Sequence, residues 1–100
     1  MLSMHKLFLS PKAEDDLEEI FTYTYLNWGL RKAENYQDQL FESMENLLSN
    51  PKVGSIYYHK RGNYRKLNSN RHVIFYRIEN QDCIVMRILH ERMDLKRLID

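Results

Sequence analysis

Two stretches of helical periodicity separated by little more than one glycine constrain this chain more than any other feature. Ser10-Pro11 is a helix start, with serine as N-cap and proline at the first helical position. Glu14, Asp15 and Asp16 then fall in the first turn, where the helix dipole favours negative charge. Ala13, Leu17, Ile20, Phe21, Thr24 and Trp28 recur at three- and four-residue steps, so a helix is expected over about residues 11–28, with Gly29 as its left-handed terminus. A second stripe follows after a couple of residues, Ala33, Tyr36, Leu40, Met44, Leu47 and Leu48, and Asn50-Pro51 stops it. So short a connection forces the helices side by side and antiparallel, and both stripes then need a common cover.

That cover comes from the second half, where the period changes. A short apolar segment, His5 to Leu9, precedes the first helix and reads as a strand. Beyond a looser stretch with Gly54 and Gly62, Tyr64–Leu67, Arg71–Ile78 and Cys83–Leu89 read as three more strands. Asn68-Ser69-Asn70 and Glu79–Asp82 are the turns. The fold class is α+β: an N-terminal strand and an antiparallel helical hairpin packed on a mainly antiparallel sheet, with residues 1–100 as one domain. An even register pairs 78 with 83, 76 with 85, 74 with 87, 72 with 89, 67 with 72 and 65 with 74. It places Tyr64, Val73, Phe75, Ile84, Met86 and Ile88 towards the helices and Arg65, His72, Ile74, Tyr76, Val85 and Arg87 on the other face. The tail from Glu91 to Asp100 has apolar residues enough for a docked turn or an edge strand.

Composition sets limits on function. The 43% apolar, 29% charged residues are those of a globular chain, and no apolar run approaches the ~20 residues of a membrane span. A lone Cys83 allows no internal disulfide, consistent with a cytoplasmic setting, and it reads as a small half-buried hydrophobe. His5, His59, His72 and His90 have no paired spacing, so no metal is expected; the sequence has no phosphate-binding glycine loop and implies no small-molecule cofactor. The net charge of +1 conceals an asymmetry. Residues 1–50 hold four bases against nine acids, residues 51–100 eleven bases against five acids, a split of −5 and +6.

Six cations and no acid lie between Tyr57 and Arg77, interleaved with aromatics, a mixture suited to nucleic acid or to a protein that works on it, and equally to a solvated basic sheet edge. His90, with Arg71 expected opposite it, is a candidate acid or base for phosphodiester cleavage. The acids of helix one read as a solvated face. Its aromatics exceed what one face requires: Phe21 and Trp28 belong to the packed stripe, while Tyr23 and Tyr25 flank it as candidates for lining a groove for a partner helix.

Three groups of residues together resemble one family. Leu9-Ser10-Pro11-x-Ala13-x-x-Asp16-Leu17-x-x-Ile20-x-x-Tyr23, Trp28-Gly29-x-x-x-Ala33-x-x-Tyr36 and Asn50-Pro51-x-x-Gly54 form the first. Tyr64-Arg65-Lys66 with His72-Val73-Ile74-Phe75-Tyr76-Arg77 form the second, and Arg87-Ile88-Leu89-His90-x-Arg92-Met93-Asp94 the third. The chain is similar over nearly its whole length to the ParE branch of the ParE/RelE toxin superfamily. It departs at Asn68-Ser69-Asn70-Arg71, where a small Gly-Ser pair is common. The resemblance implies a toxin of a type II toxin-antitoxin pair that inhibits DNA gyrase without making or breaking a bond itself, neutralised by a ParD-like antitoxin wrapped across it. By motif position it implies a target-facing surface of Arg65, Lys66, Arg92, Met93 and Asp94, with Phe21, Tyr23, Tyr25 and Trp28 facing the antitoxin. The RelE branch offers an alternative, a ribosome-dependent messenger-RNA endoribonuclease with His90 as acid or base and Arg65, Arg71 and Arg87 stabilising the phosphorane.

Overall fold

In the computed structural model, which describes residues 6–58 and 62–93, the chain runs β1 (Leu7–Leu9), α1 (Pro11–Trp28), α2 (Leu30–Ser49), β2 (Ser55–Tyr57), β3 (Tyr64–Ser69), β4 (His72–Glu79) and β5 (Asp82–His90). The strands form one sheet in the order β1-β5-β4-β3-β2; β1 lies parallel to β5 and every other pair is antiparallel. Two helices on a five-stranded, mostly antiparallel sheet with an N-terminal strand is the expected architecture.

The helix boundaries follow from their signals. Ser10 Oγ accepts from the Ala13 N–H (3.0 Å) as an N-cap and donates to the Met86 carbonyl (2.8 Å), fastening the start of α1 to β5. Gly29 alone joins the helices: its N–H donates to Tyr25 O, ending α1, and its carbonyl accepts from the Ala33 N–H, opening α2. Its φ of +94° is a conformation that side chains other than glycine rarely adopt.

The sheet corrects the expected faces. Ile74, Tyr76, Cys83, Val85 and Ile88 pack with Ala13, Leu40, Met44 and Leu47 of the helices, so of the residues expected towards the helices Ile88 alone belongs to this cluster. Val73, Phe75 and Leu89 form a second cluster, joined by Tyr57 edge-on to Phe75 (5.3 Å). Two local events also change the pairing, the first by an even step that keeps the faces, the second by an odd step that brings Ile88 to the face of Ile74. The β3–β4 turn is Asn70-Arg71, with Asn70 at φ 57°, so Ser69 pairs with His72, Leu67 with Ile74 and Arg65 with Tyr76. On β5 a bulge leaves Met86 unpaired: 78/83 and 76/85 pair as expected, but Ile74 then meets Ile88 and His72 meets His90. Arg71 is therefore not opposite His90. Alternation gave no warning, because Val73 to Tyr76 are buried on both faces.

Strand β2 lies in the stretch expected to be irregular. Its placement depends on Tyr76, whose hydroxyl accepts from the Gly54 N–H (2.9 Å) and donates to the Pro51 carbonyl (2.7 Å). A Cβ on Gly54 would stand 2.7 Å from that hydroxyl and 2.8 Å from the Lys66 carbonyl, so only glycine fits. Arg65 Nη1 donates to the Gly54 carbonyl (2.7 Å) and the Lys52 carbonyl (3.3 Å). Most of the tail expected to dock, from Asp94 onwards, lies outside the described residues.

Candidate functional site

A groove of ≈ 940 Å³ lies between α1, the opening of α2 and the end of β5. One wall is the face of α1 carrying Ile20, Tyr23, Thr24 and Trp28. The opposite side is Lys32 and Tyr36 of α2 with Arg71 and His72, and Ile88, Leu89, His90 and Met93 continue it along the sheet. The groove exists because the hairpin outruns the sheet: every residue from Tyr25 to Lys32 is exposed, and Trp28, expected to pack in the core, has 64% of its surface open. An indole left that open gains little from folding and is available to a partner.

At the base stands the pair Asp16–Arg87. Asp16 lies on the buried side of α1 and accepts from Arg87 Nε (2.8 Å), Arg87 Nη2 (3.0 Å) and the backbone N–H of Ile88 (2.9 Å). It is no part of a solvated acidic face. Bonding to this carboxylate raises the Arg87 pKa above its ordinary value.

The far end is built by a polar seam on α2. Ser43 meets Ser69 (2.7 Å), Gln39 accepts from Asn70 (2.7 Å), and Tyr36 reaches His72 Nδ1 (2.6 Å), so residues 36, 39 and 43 hold the β3–β4 turn along one helix face. The Arg71 N–H points at the Tyr36 hydroxyl (3.4 Å), and we assign the hydroxyl proton to the bond with His72 Nδ1, which leaves the ring proton on Nε2. Burial first, and then the neighbouring His90, lower the His72 pKa to about 4, so this ring is neutral at pH 7. Burial raises the Tyr36 pKa. His90 stacks edge-on against His72 (5.3 Å) and accepts the Arg92 N–H at Nδ1 (3.1 Å).

These contacts sort the expected site residues. Tyr23 and Trp28 line the groove, whereas Tyr25 is exposed outside its lining and Phe21 is half-buried. Of the target-facing set, Met93 lines the groove and Arg92 is exposed beside it; Arg65 is held by backbone carbonyls, Lys66 Nζ lies 5.7 Å from the centre of the Tyr57 ring, and Asp94 is outside the described residues. Of the residues named for RNA cleavage, the groove gathers Arg71, Arg87 and His90 and leaves Arg65 out. Among the described cations of the basic stretch Arg77 is engaged as well: it pairs with Glu79 (3.3 Å) and lies over Tyr64. Asp16, Lys32, Tyr36 and His72 line the groove without having been expected there. A signal existed for Asp16, since it stands three residues after Ala13 and four before Ile20, on the buried stripe.

Among the described residues no group of His, Cys, Asp and Glu is placed to hold a metal, and no helix is long and apolar enough to cross a membrane. Residues 7–95 match the family described as "ParE toxin of type II toxin-antitoxin system, parDE". Toxin ParE1 of Mycobacterium tuberculosis is 40% identical over 93 residues, covering 92% of this chain and 95% of that protein; Toxin ParE1 of Caulobacter vibrioides is 34% identical over 88 residues, covering 88% and 91%. Among solved structures, the chromosomal ParDE system from P. aeruginosa superposes with a TM-score of 0.76 at 20% identity, over 87% of this chain and 96% of that one. The RelBE2 toxin-antitoxin complex of Mycobacterium tuberculosis does so at 0.68 and 14%, over 88% and 99%. The structural likenesses speak for the fold, and the sequence matches, running from β1 past the end of β5, place this chain in the ParE family of type II toxin-antitoxin toxins.

Proposed function

We propose that this toxin acts in the cytoplasm by binding DNA gyrase and blocking replication, and that a ParD-like antitoxin neutralises it by laying an amphipathic segment in the groove. The observation that carries the reading is the family match over residues 7–95, joined to a site whose open features are recognition surface. Tyr23 and Trp28, 65% and 64% exposed, are rigid aromatic anchors of the kind that dominate helix-in-groove interfaces. Phe21 and Tyr25 extend the same helix surface. Arg92 and Met93, with Asp94 beyond, form the target-facing part together with Arg65 and Lys66; because Met93 also lines the groove, an occupant there covers part of the target surface.

The alternative of RNA cleavage requires cations free to stabilise a phosphorane. Arg87 is committed to Asp16 and Arg65 to two carbonyls, which leaves Arg71 alone of the three named cations open beside His90, an arrangement that favours binding over catalysis. Primer extension across abundant transcripts after induction tests the point. Intact transcripts beside arrested replication are expected; discrete codon-linked cuts would overturn the reading.

A further inference from the structure

The sequence places eleven bases in the second half, yet the structure employs several of them within the fold, on carbonyls, on Glu79, on Asp16 or over tyrosine rings. Arg71 of the second half, and Lys32 of the first, are different. Both are exposed, both line the groove, and no carboxylate among the described residues pairs with either. Of the α1 acids that also line the groove, Asp16 is bound to Arg87 and Glu19 sits one turn before Tyr23.

Arg71 is also fixed where its side chain begins. Its N–H points at the Tyr36 hydroxyl (3.4 Å), its carbonyl accepts from the Glu91 N–H (2.9 Å), and Asn70 before it bonds to Gln39. A turn pinned on both sides to α2 and β5 holds its cation over the groove at a low ordering cost on binding. His90 adds a donor: with Nδ1 accepting from the Arg92 N–H, Nε2 carries the ring proton. The groove thus has an apolar and aromatic wall along Ile20, Tyr23 and Trp28 and two cations, Arg71 and Lys32, on the side facing it.

We propose that the Arg71–Lys32 end of the groove is a carboxylate subsite that takes an Asp or Glu side chain of the antitoxin segment whose apolar face lies on Ile20, Tyr23 and Trp28. The proposal rests on the reading of the groove as the antitoxin's seat and adds the chemical group recognised and its register. A guanidinium fork favours a carboxylate over a neutral amide, so this contact selects among otherwise similar amphipathic segments.

Calorimetric titration of the toxin with the full-length antitoxin encoded directly beside it tests this, using Trp28→Ala, Arg71→Glu, Lys32→Glu and the double reversal Arg71→Glu/Lys32→Glu. All three positions are exposed, and unchanged circular dichroism and melting confirm that each of the four variants folds. The double reversal is expected to weaken binding by about 10- to 100-fold and to flatten its dependence on salt. Replacing the antitoxin's acids by arginine, one at a time, should reveal one position that restores binding to Arg71→Glu. Unchanged affinity in the double reversal, or the absence of any rescuing acid, overturns the subsite while Trp28→Ala still weakens binding. If the wild type fails to bind, or Trp28→Ala has no effect, the groove reading itself fails.

Discussion

Replacing Asp16 by alanine removes three hydrogen bonds at once. The Arg87 guanidinium loses its partner at 2.8 and 3.0 Å, and the Ile88 N–H loses its acceptor at 2.9 Å in the middle of the sheet. The side chains of Arg87 and Asp16 are 19% and 10% exposed, so water replaces little of what is lost. Breaking a buried ion pair by removing one partner costs about 3–5 kcal/mol, and partial access for Arg87 places this case near ~3. A domain of this size has a total stability of about 5–15 kcal/mol. At about 4–8 °C per kcal/mol the melting midpoint should fall by roughly 12–24 °C. Urea unfolding followed by circular dichroism measures the change, with an unaltered denaturant slope showing that the same surface is exposed. Asp16→Leu/Arg87→Met should recover much of the loss, because hydrophobic replacement also removes the desolvation penalty. A loss below about 1 kcal/mol for Asp16→Ala would refute the reasoning, since that is the range of a surface pair.

Three further outcomes follow from the same contacts. His72 has its pKa lowered to about 4 while the unfolded chain protonates near the ordinary 6.5, so stability is fully present above about pH 6.5 and falls as pH drops towards 4. The effect is on the order of 2 kcal/mol for a half-buried ring, and His72→Asn should remove that part of the slope in urea unfolding at pH 7 and 5. Tyr76→Phe strands the buried Gly54 N–H and should cost about 1–3 kcal/mol; Gly54→Ala should cost more, because one clash is with the Lys66 backbone carbonyl, and thermal melts rank the two. Trp28→Ala should leave stability within about 0.5 kcal/mol while weakening antitoxin binding by about tenfold or more, read by melting and by titration of the same sample.

The helical hairpin was legible because its signals are local: Ser10 and Pro11 begin α1, Gly29 divides the helices, and each stripe repeats within a few residues. Strands β3, β4 and β5 were legible as strands for the same reason. Which face they turn to the helices was not, because Val73 to Tyr76 are apolar on both sides, and a bulge at Met86 then swaps the faces of β5 beyond it. Strand β2 lacks a period of its own and is placed by Tyr76 and Arg65 from across the sheet. The groove was visible only in part. Tyr23 stood out as an aromatic beyond the needs of one face, but Trp28 reads as core in a stripe and becomes surface where α1 outruns the sheet. Lys32, Tyr36, Arg71 and His72 come together only once α2 crosses the β3–β4 turn, and charge counted along the chain could not show that most of the basic strand residues serve the fold.

A gyrase supercoiling reaction titrated with the purified toxin, alone and with its antitoxin at equal concentration, puts the central claim to the most direct test. Loss of supercoiling or accumulation of cleaved DNA is expected as toxin is added, with relief by the antitoxin and weaker relief when the toxin carries Trp28→Ala. Undiminished supercoiling at saturating toxin would contradict it.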